Sequence, residues 1–443
     1  MNLFSRHRYA VLVLAVILPR MAWFSFLGGR LPEPTRDQGI YIEAAGGILE
    51  GRGLSYSREQ GLLRHMMAGE NPLRDSWSSD PDYMFGMVPV ETPTASMEPG
   101  YPLLLALAVT VAGPFAGSVF LLNCIFALIG ALALMRMVTV LWGSRQGLLA
   151  ALIWSLYPYY IYYGAYAMTE TVHVSMLPLV LLLTVESSGG GARRMQGDAP
   201  ARLWRSAAAG VSTGFLFLVR STAFFLLPVQ MLWLILRRRW KQALMVATGF
   251  ILCCMPWVVR NQVRLGSPVL MPTKGVLNLW MRNNPEILAM EGIHLPDAVE
   301  SGISRRELLA YPEMEGLDTE LERSRLLMDR AVSFLTANPV LVGYLTLTRA
   351  AGFLSPIGGT IDHPAASAAG LIIYTPMLLI GVLEAFRRRK DPHVLLLCAT
   401  FLLYLALHSL AHGGVRYRLP VDMVPIVLTA LFAGRRAGWE KTV

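Results

Sequence analysis

Long apolar segments alternate with short polar ones along the whole chain. Ten of the apolar segments are roughly 15–23 residues long, and a helix needs about 20 residues to cross the hydrocarbon core, or fewer where its polar ends snorkel. The pattern therefore predicts an all-α polytopic membrane protein with about ten transmembrane helices. These lie at residues 9–27, 115–137, 147–163, 172–186, 206–219, 222–236, 243–259, 369–386, 393–410 and 419–434.

Short basic clusters between the apolar segments predict the orientation of the helices, because Lys and Arg mark their cytoplasmic ends. The clusters lie at residues 6–8, 136–145, 193–205, 237–241, 387–390 and 435–441. This placement leaves both termini inside, two large loops outside (28–113 and 260–368), and the glycine-rich segment 187–205 in a cytoplasmic loop. Apolar stretches 101–112 and 339–354 do not fit this alternation and are flanked by Pro or Gly. We therefore predict interfacial helices there, within a single membrane domain spanning 1–443 that ends in C-terminal helices at 369–434.

Composition supports this assignment and argues against a soluble domain and against a nucleic-acid partner. The chain is 54% hydrophobic and only 16% charged, with a mean hydropathy of +0.46, whereas soluble domains carry about 25% charged residues. The net charge of +9 resides mostly in the basic clusters, so no nucleic-acid partner is predicted. The four cysteines lie inside apolar segments without metal-ligand spacing. The first apolar segment follows the basic "MNLFSRHR" and lacks a small-residue cleavage site, which predicts a retained signal anchor.

Two acids lie at the predicted outer ends of helices. Asp37 follows the first span in "TRDQGIYIEAAGGILEG", where apolar residues of period near 3.6 predict an interfacial helix over 38–50. Glu170 lies in "YAMTETVH" at the same predicted level. Each could be a helix-capping residue, and the tyrosines at 157–163 could form an interfacial aromatic belt. The shared level instead favours a site in which a carboxylate accepts a proton from a substrate hydroxyl.

Cations are predicted at this level as well. Arg220 interrupts two apolar helices, and arginines at membrane depth are commonly functional. The sequence "LALHSLAHGGVRYRLP" adds His408, His412, Arg416 and Arg418 around a Gly-Gly turn. Arginines on the outer side need an anionic partner such as a lipid headgroup, a protein acid or a bound phosphate. Further outer-face candidates are Arg260, Lys274, Arg282 and Asn283.

Taken together, these segments resemble the GT-C superfamily of polytopic glycosyltransferases. The resemblance is strongest to bacterial members of the dolichyl-phosphate-mannose protein mannosyltransferase and aminoarabinose transferase group. It rests on six elements in order: "RDQGIYIEAAGGILEGRG", "EPGYPLLLALAVTVAG", "YAMTE", "PWVVRNQVRLGSPV", "NLWMRNNP" and "HGGVRYRLP". The chain departs from many relatives in having Asp37-Gln38 where they have an acidic pair. The sequence therefore establishes no cofactor, and it leaves a divalent metal at this position possible but doubtful.

The resemblance implies transfer of a sugar from a polyprenyl-phosphate donor to an acceptor hydroxyl, on the outer face of a bacterial inner membrane. It implies catalytic roles for Asp37 and Glu170. Binding of the donor phosphate is implied for Arg220, Arg416, Arg418 and His412. The expected partners are this donor, the lipid bilayer, and a glycan, lipid or protein acceptor that the sequence does not identify.

Two other functions remain open from the sequence. A secondary transporter would place ionisable residues near the bilayer midplane on broken helices in repeated halves, and no repeat is visible here. A non-catalytic glycan-assembly subunit on a GT-C scaffold would share every feature described above.

Overall fold

The computed structural model describes residues 3–32, 36–56, 92–189, 199–284, 316–357 and 370–439, together with residues 66 and 368. Within these residues the chain is helical and has no strand, which confirms the predicted all-α fold. The helices are α1 (Leu3–Phe26), α2 (Arg36–Leu49), α3 (Gly100–Ala112), α4 (Ala116–Trp142), α5 (Ser144–Ser155), α6 (Pro158–Tyr163), α7 (Thr169–Ser188), α8 (Ala199–Val219), α9 (Leu226–Leu236), α10 (Trp240–Leu265), α11 (Lys274–Arg282), α12 (Glu320–Ala337), α13 (Pro339–Leu354), α14 (Thr375–Arg387), α15 (Pro392–Ser409), α16 (Val415–Arg418) and α17 (Met423–Arg436).

The predicted number of spans is approximate. In the described part of the chain, six helices are long and apolar enough to cross a membrane: α1, α4, α7, α10, the segment Gly370–Arg387, and α15. The number rises to eight if two bent pairs each form one span. One is α12 with α13, bent by 100°, and the other is Val415–Val421 with α17, bent by 53°. The predicted spans at 206–219 and 222–236 correspond to shorter apolar helices.

One predicted span is broken in the structure. Segment 147–163 is divided between α5 and α6, and Tyr157 between them has an extended backbone (φ −67°, ψ 119°). Pro158 causes this break, because its ring disfavours the helical conformation of the preceding residue. Segments 101–112 and 339–354 are helical, as predicted, in α3 and α13.

Helix α2 differs from the predicted interfacial helix in its burial. The helix forms where its periodicity predicts it, but Ile40, Tyr41 and Ile42 are all buried, as are the polar Gln38 and Glu43. Helix α2 packs against α3, so protein surrounds it on several faces. Its first turn, which contains Asp37, lies at the end of the bundle.

Helices α7 and α8 define two ends of the bundle. They pack together in opposite directions. At one end Glu186 forms ion pairs with Arg136 (2.8 Å) and Arg205 (3.9 Å), which belong to the basic clusters. At the other end Glu170 pairs with Arg220 at 2.9 Å. This arrangement agrees with a cytoplasmic end and an opposite end that contains the candidate site residues.

The topology remains a prediction that labelling with a membrane-impermeant thiol reagent can test. We expect Asp329→Cys, which is exposed on α12, to be labelled in intact cells. Lys390→Cys, which is exposed after α14, should react only after the membrane is opened. The wild-type protein gives the background, because its cysteines lie in apolar helices. The reverse labelling pattern would contradict the predicted orientation.

Candidate active site

Five segments distant in sequence meet at the end of the bundle opposite the basic clusters. Asp37 lies in the first turn of α2, and Glu170 in the first turn of α7. Arg220 lies in extended conformation between α8 and the 3-10 helix Ser221–Phe225. Lys274 begins α11, and Arg416 lies on α16. We call these five residues the charged cluster.

Asp37 is bound by two cations, one on each carboxylate oxygen. The Lys274 ammonium donates to Oδ1 at 2.9 Å, and the Arg416 guanidinium donates through Nη1 to Oδ2 at 2.6 Å. The Asp37 side chain is 26% exposed, the most open of the five. Asp37 thus lies on the most exposed side of the charged cluster, which we call its mouth.

Glu170 is the most deeply buried member of the charged cluster. Its side chain is fully buried, and its Oε1 accepts hydrogen bonds from Arg416 Nε and from Arg220 Nη1, the latter at 2.9 Å. Arg220 also donates to the Thr169 hydroxyl at 3.4 Å. Because Arg416 uses Nε for Glu170 and Nη1 for Asp37, it bridges the two acids.

Aromatic rings support the cations from one side. The Tyr417 ring centroid lies 5.5 Å from the Arg220 guanidinium carbon and 5.9 Å from that of Arg416. The imidazole of His412 stacks on the same tyrosine at 4.9 Å with an interplanar angle of 13°. Such cation–π contacts stabilise positive charge without supplying a counter-charge, so the counter-charges of both arginines come from Glu170 and Asp37 alone.

The local charges shift the pKa values of two groups at the mouth. Burial alone would raise the pKa of the Asp37 carboxyl, but Lys274 and then Arg416 outweigh it and hold that pKa well below the usual range. Burial alone would lower the pKa of Lys274, but Asp37 outweighs it and raises that pKa to about 12. The two groups are therefore charged at neutral pH.

His412 is neutral at the same pH. Burial, reinforced by the charges of Arg282, Arg349 and Arg416, lowers the pKa of its imidazole to about 3. It can offer a hydrogen bond to a phosphate, but it adds no positive charge.

The charged cluster carries one unit of positive charge in total, since two carboxylates face three cations. The cations are themselves partly accessible: Lys274 is 21% exposed, Arg220 13% and Arg416 12%. A small excess of positive charge in a partly desolvated cleft favours an anionic ligand.

Arg418 is not part of the charged cluster. Its side chain is fully buried and pairs with the equally buried Asp422, with Nε at 2.8 Å from Oδ1. It also donates to the Phe353 carbonyl at 2.9 Å and lies 3.4 Å from the centre of the Tyr374 ring. These contacts join α16 to α13, and they leave the Arg418 guanidinium no exposed surface for a lipid phosphate.

Two of the remaining outer-face candidates, Arg260 and Asn283, donate to backbone carbonyls. Arg260 donates to the carbonyls of Thr94 at 2.7 Å and Leu54 at 3.1 Å. Asn283 donates to the Leu410 carbonyl at 3.1 Å. The Arg282 carbonyl accepts a hydrogen bond from Arg349. These bonds connect residues 54 and 94 to α10, and the end of α11 to α13 and to the end of α15.

The sequence analysis did not identify Glu320, a buried residue that contacts Thr273 immediately before Lys274. The buried Glu320 carboxylate accepts hydrogen bonds from the Thr94 hydroxyl (2.7 Å), the Ala95 N–H (3.2 Å) and the Thr273 hydroxyl. It thereby fixes the start of α11 against residues 94–96. The sequence does contain the capping box of α12, Thr319 with Glu322, but nothing in it indicates the partners of Glu320.

A metal site is not evident among the described residues, where no group of three His, Cys, Asp or Glu side chains could hold an ion. Gln38, which follows Asp37, accepts the backbone N–H of Ala167 at 2.9 Å through its side-chain oxygen. It therefore positions the segment before α7. The charge beside Asp37 is supplied by Lys274 and Arg416.

Part of the chain is similar to a known protein family. A family model described as dolichyl-phosphate-mannose-protein mannosyltransferase matches residues 93–259, which include Glu170 and Arg220. No curated protein sequence matches the chain.

Solved structures show the same overall fold. The chain is similar to the oligosaccharyltransferase AglB from Archaeoglobus fulgidus in complex with an inhibitory peptide and a dolichol-phosphate (TM-score 0.54, 12% identity, 99% of this chain and 52% of that chain). A second structure of the Archaeoglobus fulgidus oligosaccharyltransferase, tethered with an acceptor peptide, gives a TM-score of 0.54 at 11% identity, over 98% of this chain and 50% of that chain. The chain thus spans about half the length of these proteins.

A weaker similarity is to ArnT from Cupriavidus metallidurans bound to undecaprenyl phosphate. Here the TM-score is 0.45 at 15% identity, over 97% of this chain and 78% of that chain, which is too low to support a shared fold by itself.

Proposed function

We propose that the chain is a GT-C glycosyltransferase that transfers a sugar from a polyprenyl-phosphate donor to an acceptor hydroxyl on the outer face of the membrane. The family-model match over residues 93–259 and the similarity in fold to an oligosaccharyltransferase support this proposal. The observation that supports this most directly is the charged cluster. It combines a partly exposed carboxylate with three cations at one end of a helical membrane bundle.

The chemistry needs both kinds of group. An oxygen of the acceptor forms a bond to the anomeric carbon, and the bond from that carbon to the phosphate oxygen breaks. The bonding electrons pass to the leaving phosphate, and the acceptor proton passes to a base. Asp37 is the proposed base, since it is the most accessible carboxylate of the cluster. Arg416, Arg220 and Lys274 stabilise the phosphate as it departs.

Glu170 has a positioning role in this proposal. It is fully buried and holds both arginines on one oxygen, so it directs their remaining N–H groups toward the mouth. Arg418 has no part in phosphate binding in this proposal, because it is buried and paired with Asp422. His412, stacked on Tyr417, contributes at most a neutral hydrogen bond.

The two alternative functions are less well supported. A transporter concentrates charge near the midplane on broken helices, whereas the charged cluster lies where α2, α7 and α11 begin. A non-catalytic assembly subunit would have no need for a partly exposed carboxylate between two cations.

The test is a transfer assay with the purified full-length protein in lipid nanodiscs. We expect labelled sugar to move from a polyprenyl-phosphate sugar to an acceptor fraction extracted from the native cell envelope. Mass spectrometry of surface glycans and glycolipids from a deletion strain identifies the acceptor class, because one glycoform should be missing. Absence of transfer together with an unchanged glycan profile would reject the proposed function.

A further inference from the structure

Within the charged cluster, Asp37 already pairs with Lys274 and Arg416, two of the cations that a donor phosphate would bind. Both oxygens of Asp37 are occupied, Oδ1 by Lys274 at 2.9 Å and Oδ2 by Arg416 at 2.6 Å. One lone pair on each carboxylate oxygen of such a base is directed at a cation, and the two positive charges lower its basicity. The described structure therefore holds Asp37 in an arrangement that is well paired but poorly placed to accept a proton from a hydroxyl.

Phosphate and carboxylate compete for the same donors. Guanidinium binds either anion through parallel N–H groups, and an ammonium binds either as a point charge. An incoming phosphate reaches the cluster from its mouth, where Lys274 and Asp37 are the most exposed members. The first cation that it meets is thus Lys274, which is already paired with Asp37, as is Arg416.

The two carboxylates of the cluster differ in how readily they can separate from their cations. Glu170 has no exposed surface and is held by two arginines, so separating it from them would leave a buried charge without a partner. Asp37 is 26% exposed and can turn toward water when its cations are taken. Arg416 can therefore exchange the partner of its Nη1 while its Nε remains on Glu170.

We infer that Lys274 and the Nη1 edge of Arg416 are ligands of the donor phosphate, and that Asp37 occupies them until the donor arrives. Binding of the phosphate displaces Asp37 from both cations and leaves its carboxylate unpaired beside the bound sugar. The exchange makes proton abstraction depend on the presence of the donor. This inference rests on the proposed function and adds to it an exchange of ion-pair partners at Lys274 and Arg416.

The charge of the cluster also indicates which phosphate fits. With both acids ionised, the excess is one positive charge, which a single negative charge neutralises. A sugar phosphodiester carries one such charge, and a sugar diphosphate carries two. The cluster alone therefore matches a donor linked through one phosphate.

Equilibrium binding of polyprenyl phosphate to the purified full-length protein tests the exchange. The measurement is made near pH 5, where this phosphate monoester carries about one negative charge, as the donor phosphodiester does. Asp37→Asn removes the competing carboxylate and should tighten binding by roughly tenfold, as expected for a partly exposed charge pair. Lys274→Gln should weaken binding by a similar factor. The matched control is Asp318→Asn, the same change at an exposed acid outside the cluster, which should leave binding unchanged. Polyprenol, which lacks the phosphate, should bind all variants alike.

The outcomes separate the inference from the function on which it rests. Equal or weaker binding of polyprenyl phosphate by folded Asp37→Asn overturns the exchange and leaves the proposed transfer intact. A wild-type protein that does not distinguish polyprenyl phosphate from polyprenol overturns the lipid-phosphate donor itself.

A second measurement needs only the wild-type enzyme. The acid limb of kcat/KM reports the free enzyme, in which Lys274 and Arg416 hold the pKa of Asp37 low, and the acid limb of kcat reports the donor complex. The exchange requires the limb of kcat to lie at higher pH, because Asp37 has lost its cations. Coincident acid limbs would overturn the exchange even if every Asp37 variant failed to fold.

Discussion

Replacement of Asp37 by Asn is expected to lower kcat by about 10²–10⁴-fold, the usual loss when a general base is removed. The asparagine keeps the shape of the side chain and its place in the first turn of α2, but it cannot accept the proton of the acceptor hydroxyl. The measurement is turnover of the purified variant with a saturating polyprenyl-phosphate sugar, so that any change in donor affinity does not enter kcat.

A purely structural role for Asp37 leads to a different result. Loss of its ion pairs with Lys274 and Arg416 would then lower the unfolding temperature, but kcat of the folded variant would stay within a few-fold of wild type. Thermal unfolding of the variant in the same nanodiscs shows whether the fold is retained. Asp318→Asn serves again as the control, since its carboxylate is exposed and outside the charged cluster.

Much of this site could be anticipated because a membrane fixes the level of helix ends. Asp37, Glu170, Arg220 and Arg416 each adjoin an apolar segment at the predicted outer side, and residues at one level of a bundle have a fair chance of meeting. The structure brings these four together with Lys274. Their catalytic and binding roles remain predictions.

What the sequence could not supply is the direction in which each side chain points. Arg416 and Arg418 are two residues apart on α16, and a helix turns about 200° over two residues. One guanidinium therefore enters the charged cluster while the other is buried against Asp422 and Tyr374. The prediction gave both arginines the same role, because both lie at the same predicted depth in the membrane and only the helix faces that carry them differ.

Long-range partners were equally hidden. Lys274 pairs with Asp37 across 237 positions of sequence, and its position depends on the contacts of Glu320 with Thr94 and Thr273. Hydrophobic periodicity describes a single helix and its buried face, and it contains no information about which loop residues pack together. The break before Pro158, in contrast, follows from a local steric rule and was open to prediction.

Replacement of Arg416 by Lys is expected to lower kcat/KM by about 10²–10³-fold, the usual loss when one donor to a developing oxyanion is removed. Arg416 donates to Glu170 through Nε and to Asp37 through Nη1, and a lysine ammonium cannot reproduce two such separated, planar contacts.

Arg416→Ala should lower activity further and also destabilise the protein, since removing one partner of a buried ion pair costs about 3–5 kcal/mol. Arg30→Lys is the matched control, because Arg30 is exposed beyond the end of α1. Comparison with Arg418→Lys separates stability from catalysis: that variant should lower the unfolding temperature through Asp422, yet keep the KM for donor near wild type in the folded fraction. If Arg416→Lys were folded and fully active while Arg418→Lys lost donor binding, the assignment of the phosphate to Arg416 would be reversed.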